Sequence, residues 1–180
     1  MLFRSTGLWL NEQGFDRARA TGRLHIRGTI THGTSETFLK RNQNRTLVQQ
    51  AASQRELVQR YKELGIPIER GGMMAAFGCN FEGDVPPSKV VAIMREILDI
   101  ASEAGIKLGY VMLADTMAWA TPLSIKRVVG AVREVWPDLE LSLHLHDTRG
   151  MGVANDYAGL EMGVSRYDAA VAGLGGCPFA

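Results

Sequence analysis

Cysteine is scarce in this sequence: Cys79 and Cys177 are its only two, far apart and outside any CxxC spacing. A disulfide framework is thereby excluded, and a reducing, cytoplasmic setting is the matching expectation. Blocks of one charge sign are missing as well. Lys and Arg number 20 against 19 Asp and Glu, with no basic or acidic run, so neither nucleic acid nor a membrane surface is indicated as a partner. No apolar run reaches spanning length, and the opening MLFRSTGLWL lacks the h-region and small-residue cleavage site of a signal peptide. No GxGxxG follows the first apolar run and no GxxxxGK[ST] occurs, which argues against a dinucleotide-binding or P-loop unit.

What is present is an alternation. Short runs rich in β-branched residues occupy 23–30, 68–77, 107–116, 139–147 and 167–176, and segments of helical period lie between them at 47–65, 86–105, 121–137 and 152–163. In the second helical segment Val90, Ile93, Met94, Ile97 and Ala101 form one apolar stripe, with Ser88 as its expected cap and Gly105 as its end. Thr121 and Pro122 mark the next helix start. The charged stretch 35–46 reads as a solvated loop in which Lys40 and Arg41 could meet an anion. Strands alternating with helices predict a parallel sheet, hence an α/β fold.

The reactive residue types fall at the C-terminal ends of successive runs, in VMLADT, LHLHDT and AGLGGCPF. A (β/α)₈ barrel assembles its active site there. Five strands are too few for a closed barrel, so the reading is one domain, 1–180, forming an incomplete TIM barrel and cut from something larger just after Cys177. An unpaired sheet edge on such a piece would be a docking surface or an aggregation hazard.

In a strand, residues two apart share a face, so His144 and His146 project side by side and can hold one divalent cation. The competing reading makes one of them a hydrogen-bonded core residue. Asp147, directly behind, favours metal, as a carboxylate that orients a ligand imidazole. Asp115 holds the matching position one strand earlier. A lone Asp there is often a helix cap, but Thr121 already fills that role and leaves Asp115 for a site. Cys177 sits between Gly176 and Pro178 in a loop where the backbone can approach a ligand and a reactive thiol is plausible. Cys79 reads as a packing residue, and His25 and His32 have no partners at metal spacing.

The closing DAAVAGLGGCPFA resembles the signature of the 3-hydroxy-3-methylglutaryl-CoA lyase family, an Ala-Gly-Leu-Gly-Gly-Cys-Pro-Phe/Tyr loop. HLHDT is similar to that family's metal-binding strand, LADT to its Leu-Gly-Asp-Thr, and FGCNFEG to its Leu-Gly-Cys-Pro-Tyr-Glu-Gly, in the same order from about Gly14 onward. The resemblance implies a (β/α)₈ barrel, of which this chain supplies strands three to seven. It also implies a retro-Claisen cleavage of an acyl-CoA thioester assisted by Mg²⁺ or Mn²⁺. His144 and His146 would then be metal ligands, Cys177 an acid/base group and Asp115 an active-site carboxylate, with Thr116, Gly175 and Gly176 at the substrate. The family's strand-one Arg-Asp motif and strand-two Glu are not found, and its Asn ligand would follow Ala180. Gly72, Met112 and Arg149 replace the family's Tyr, Ser and Tyr, which opens the identity of the acyl group. A condensing relative, or a non-catalytic scaffold that binds a partner such as a second copy, are the other readings.

Overall fold

The computed structural model describes residues 5–173 and 175–179; Leu174, inside the expected fifth strand, lies outside them. Five parallel strands run in the order β1-β2-β5-β6-β7, and a two-stranded hairpin pairs β3 with β4. The strands are β1 (Gly28–Gly33), β2 (Ile68–Met74), β3 (Gly78–Cys79), β4 (Gly83–Asp84), β5 (Tyr110–Ala114), β6 (Leu141–His144) and β7 (Arg166–Tyr167). The helices are α1 (Glu12–Ala20), α2 (Glu36–Gln43), α3 (Leu47–Glu63), α4 (Pro87–Glu103), α5 (Pro122–Val135) and α6 (Gly152–Glu161).

The α/β alternation is as expected, with five local differences. The first strand runs Gly28–Gly33 instead of 23–30. Residues 35–46 are not a loop: Ser35 Oγ accepts from Phe38 N, α2 follows, and Phe38 and Leu39 are buried. Helix α4 starts at Pro87 without a side-chain cap, so Ser88 is inside it. The last strand is only Arg166–Tyr167, paired to Ser142 and Leu143, with a 3₁₀ turn at Val171–Gly173 where more strand was expected. Helix α1, capped by the Asn11 side chain on Gly14 N, carried too weak an apolar stripe to be read. Thr121 does cap α5, reciprocally with Ser124, and Gly105 ends α4 in a left-handed conformation.

The sheet has two unlike faces. Ile30, Met73, Val111, Leu113, Leu141 and Leu143 are fully or almost fully buried and meet Val58, Met94, Ile97, Val128 and Val129 from the helices. Burial of this kind contributes roughly 1.5–3 kcal/mol per large side chain and is the main driving force for the layer. Approach is close enough that a Cβ on Gly71 would stand 2.8 Å from Ile97 Cγ2, and one on Gly159 would stand 2.5 Å from Leu143 Cδ1. The other face carries the row Thr31, Gly72, Met112 and Ser142, set by register. It is less apolar than the first, with Gly72 and Ser142 buried and Thr31 and Met112 half-buried. A cavity of about 310 Å³ lies on it, lined by Trp9, Thr29, Thr31, Arg70, Tyr110 and Met112 among others.

The outer edge of β1 is closed by side chains. Thr31 N donates to Gln54 Oε1 at 2.7 Å, and Gln50 Nε2 donates to Thr31 O at 2.9 Å. Both glutamines belong to α3 and are buried. The residues before α1 lie beside the start of this edge, where His25 N donates to Ser5 O at 2.8 Å. Trp9 Nε1 donates to the Tyr61 hydroxyl at 2.6 Å, and Phe15 meets the Tyr61 ring edge-on.

Replacing Gln54 with Ala leaves the Thr31 N–H without a partner. A loss of about 1–3 kcal/mol in urea unfolding is expected, against a change within about 0.5 kcal/mol for Gln59→Ala on the exposed side of the same helix. His32 supplies a pH-dependent counterpart. Burial holds its pKa below the ordinary 6.5, so its contribution is present above that pH and is lost as the pH falls through the lower folded value. The urea midpoint should decline on acidification from pH 7.5, and less steeply in His32→Gln.

Candidate metal and acid–base site

Backbone hydrogen bonds join the C-terminal ends of the strands. Ala76 N donates to Ala114 O at 3.0 Å, Asp115 N to His144 O at 2.8 Å, and Asp168 N to Leu143 O at 3.1 Å. Asp115, His144 and Asp168 are thereby set side by side at one rim, as the C-terminal face of parallel strands requires.

The two imidazoles converge. His144 Nε2 and His146 Nε2 stand 3.2 Å apart, with the rings near perpendicular at 76°. Their other nitrogens are both engaged: His144 Nδ1 with Asp168 Oδ2 at 2.7 Å, and His146 Nδ1 with the Thr116 carbonyl at 2.9 Å. A carbonyl and a carboxylate only accept, so these partners assign the proton to Nδ1 in each neutral ring and leave each Nε2 a lone pair. Facing each other at that distance, the two Nε2 atoms can share a proton as an N–H···N hydrogen bond, or turn both lone pairs to one cation. At ordinary metal–nitrogen lengths of about 2.0–2.1 Å, two ligands at right angles stand about 3 Å apart, so the donor pair fits a divalent ion. Among the described residues no third His, Cys, Asp or Glu completes a cluster. The remaining positions on such an ion would take oxygen ligands, as hard cations such as Mg²⁺ prefer.

Asp147 is not the carboxylate behind the imidazoles. Its Oδ1 accepts from Gly152 N at 2.6 Å and fastens the start of α6, and a Cβ on Gly152 would stand 2.9 Å from that oxygen. Asp168 has the orienting position instead, and the hydrogen bond from His144 holds its carboxyl below the usual carboxylate range. Sequence reasoning missed Asp168 because the last strand was drawn through it. The rule that found the other residues, polar types at the C-terminal end of a strand, selects it once the strand ends at Tyr167.

Asp115 is fully buried. It is not free of structural duty: Oδ1 accepts from Trp119 N at 2.7 Å and Ala120 N at 3.0 Å, shaping the loop before α5. Oδ2 has no partner among the described residues. Burial raises its pKa, against the opposing pull of those two amides and of the nearby His146 and Arg149 charges. Such a carboxyl takes up a proton readily. Thr116 uses its hydroxyl oxygen to accept from Ala75 N at 2.8 Å and its carbonyl to hold His146.

Cys177 belongs to a second, smaller cluster. It packs half-buried, with Phe179, against Phe38, Ala75, Cys79 and Met117. Cys79 is the packing residue it was read to be. Among the described residues Cys177 makes no hydrogen bond to either imidazole; the cluster it packs against includes Ala75 and Met117, the direct neighbours of Met74 and Thr116. Gly175 and Gly176 are exposed, and a Cβ on either would meet nothing within 4 Å.

Replacing Asp168 with Asn should weaken Mn²⁺ binding about 10–100-fold, read by the electron paramagnetic signal of free Mn²⁺. Asp147→Asn should leave that affinity unchanged while lowering thermal stability at the start of α6.

The HMGL-like family model matches residues 6–177. The (R)-citramalyl-CoA lyase of Chloroflexus aurantiacus is 34% identical over 187 residues, covering 99% of this chain and 54% of that protein. Human cytoplasmic 3-hydroxy-3-methylglutaryl-CoA lyase is 35% identical over 170 residues, covering 94% of this chain and 44% of that one. A solved HMG-CoA lyase from Acinetobacter baumannii, in complex with coenzyme A and 3-methylmalate, superposes with a TM-score of 0.79 at 34% identity, over 94% of this chain and 52% of that one. The chain thus spans about half the length of the relatives it matches, and its five-stranded sheet is part of their TIM barrel. A match that runs from the segment beside β1 to the cysteine itself makes this chain a member of the HMGL-like family, whose relatives named above are carbon–carbon lyases.

Proposed function

We propose that this chain carries the metal-binding and acid–base portion of a carbon–carbon lyase. Its reaction is a retro-Claisen cleavage of a 3-hydroxy-3-methylglutaryl-CoA-like thioester to acetyl-CoA and a 3-keto acid, acetoacetate in the parent case. The observation that carries the reading is the pair of facing Nε2 atoms, 3.2 Å apart, each on a ring whose Nδ1 is already committed. We assign the chain to one partial-barrel domain and to the cytoplasm.

A divalent ion, Mg²⁺ or Mn²⁺, bound at His144 and His146 supplies positive charge that eases deprotonation of a substrate hydroxyl. The chain's residues do the rest. Asp168 and the Thr116 carbonyl hold the two rings in the tautomer that leaves Nε2 free. Asp115, buried with one oxygen unpartnered, accepts the hydroxyl proton. The hydroxyl carbon becomes a ketone as its bond to the thioester α-carbon breaks, and the electron pair passes to the thioester as an enolate. The Cys177 thiol gives the enolate carbon its proton. The apolar surroundings of Cys177 limit water near that carbanion-like species.

A second acyl group is favoured by one comparison, the citramalyl-CoA lyase relative. A citramalyl thioester has the same 3-hydroxy arrangement and one carbon fewer, and would release pyruvate in place of acetoacetate. Gly72 and Met112 lie in one row on the inward face, with Met112 Cε 3.5 Å from where a Gly72 Cβ would be. Met112 therefore fills the space beside Gly72 on that face, and the smaller room left there would favour the shorter acid.

The test is turnover by this chain extended with the flanking strands of its relatives' barrel, assayed with both thioesters. Cys177→Ala and His146→Ala should each lower kcat by about 10²–10⁴-fold; full activity in Cys177→Ala would remove the thiol from the reaction. The 180-residue chain alone should bind Mn²⁺ and turn over little.

A further inference from the structure

Two positions at which the sequence departs from the lyase motifs, Asn80 in GCNFEG and Arg149 in HDTR, are neighbours in space. Asn80 Oδ1 accepts from Arg149 Nη2 at 3.3 Å and from Trp119 Nε1 at 2.7 Å, while Asn80 Nδ2 donates to the Phe179 carbonyl at 2.7 Å. The Arg149 guanidinium lies over the Trp119 ring, 4.9 Å from its centre. Trp119 is itself fixed, because its backbone N–H is held by Asp115. Four connections therefore meet at one amide: the β3–β4 turn, the β5–α5 loop, the β6–α6 loop and the cysteine loop.

Arg149 is exposed, and among the described residues no Asp or Glu pairs with it. Its stacking on Trp119, whose backbone N–H is held by Asp115, locates it at the same rim. A guanidinium stacked on an indole and tied at one nitrogen has lost most of its rotational freedom, yet most of its N–H donors are unspent. That is a preorganised fork for a planar, two-oxygen anion, and a carboxylate fits it better than a single acceptor does.

We propose that Arg149 is a specificity-determining residue that receives the free carboxylate of the acyl chain, with Trp119 and Asn80 as positioning residues. The identity of the ligand rests on the lyase reading above. Because Asn80 also holds the Phe179 carbonyl, two residues from Cys177, docking of the carboxylate and placement of the thiol loop are joined through one side chain.

The experiment uses the 180-residue chain in EDTA and two probes, the monoamide of 3-hydroxy-3-methylglutaric acid and its diamide. The monoamide keeps the free carboxylate and has an amide where the thioester would be; the diamide has no carboxylate. Binding is followed in two-dimensional ¹H–¹⁵N spectra at the Trp119 indole N–H, identified by its loss in Trp119→Phe. The monoamide should bind roughly tenfold more tightly than the diamide. Arg149→Gln should abolish that preference, Arg149→Lys should keep part of it, and Arg41→Gln, whose arginine stacks on Phe81, should leave it intact. Unmoved Trp9 and Trp136 signals in Arg149→Gln report that the fold is retained. No preference in the wild type, a preference that survives Arg149→Gln, or one lost instead in Arg41→Gln overturns the proposal. Repeating the titration with Mn²⁺ separates the two ideas: insensitivity to the metal, unchanged by His144→Ala, counts against the lyase reading and leaves the arginine dependence standing.

Discussion

Two imidazole nitrogens are held face to face, 3.2 Å apart, and the ties around the rim keep them there. A histidine ring left to itself is free to rotate about its side-chain bonds. Here His144 is tied to Asp168 and His146 to the Thr116 carbonyl, and each tie is fixed by backbone bonds between neighbouring strands. The parallel register that brings Asp115 under His144, and Asp168 next to Leu143, is therefore the cause of the site. The helices on the other face serve it by locking that register through burial.

The polar face of the sheet and the small apolar cluster under Cys177 divide the remaining work. Met117 and Ala75 pack against the cysteine loop while their chain neighbours Thr116 and Met74 belong to the strand ends. Any shift of the β5–α5 loop moves both the imidazole support and the bed of the thiol. Asp115 ties this loop down with two backbone amides, so one buried carboxyl is both a brace for the rim and a group with an oxygen to spare.

Much of this was legible in the sequence. The period of the apolar residues gave four helices close to their final bounds, and the HxH spacing foretold that His144 and His146 would share a face. What escaped was decided by contacts rather than by pattern. The stretch 35–46 looks solvated because of Lys40, Arg41 and Arg45, yet Phe38 and Leu39 are enough to bury one side of α2. Asp147 and Asp168 are the same residue type at similar places after a strand, and only the path of the following backbone decides that one fastens α6 while the other meets an imidazole. Asn80 stands out only as a departure within FGCNFEG; its role comes from four connections meeting there, and nothing local announces that.

The glutamines on α3 give the sheet a lopsided sociability. A primary amide offers a donor and an acceptor much as a peptide unit does, so Gln50 and Gln54 present Thr31 with an imitation of a neighbouring strand. A newcomer seeking to extend the ladder at that point finds its hydrogen-bonding capacity already spent and would have to prise loose two side chains embedded beneath a helix. At this one residue the ladder's donor and acceptor are satisfied without the lysines or prolines that usually guard exposed margins, and only as long as α3 stays seated.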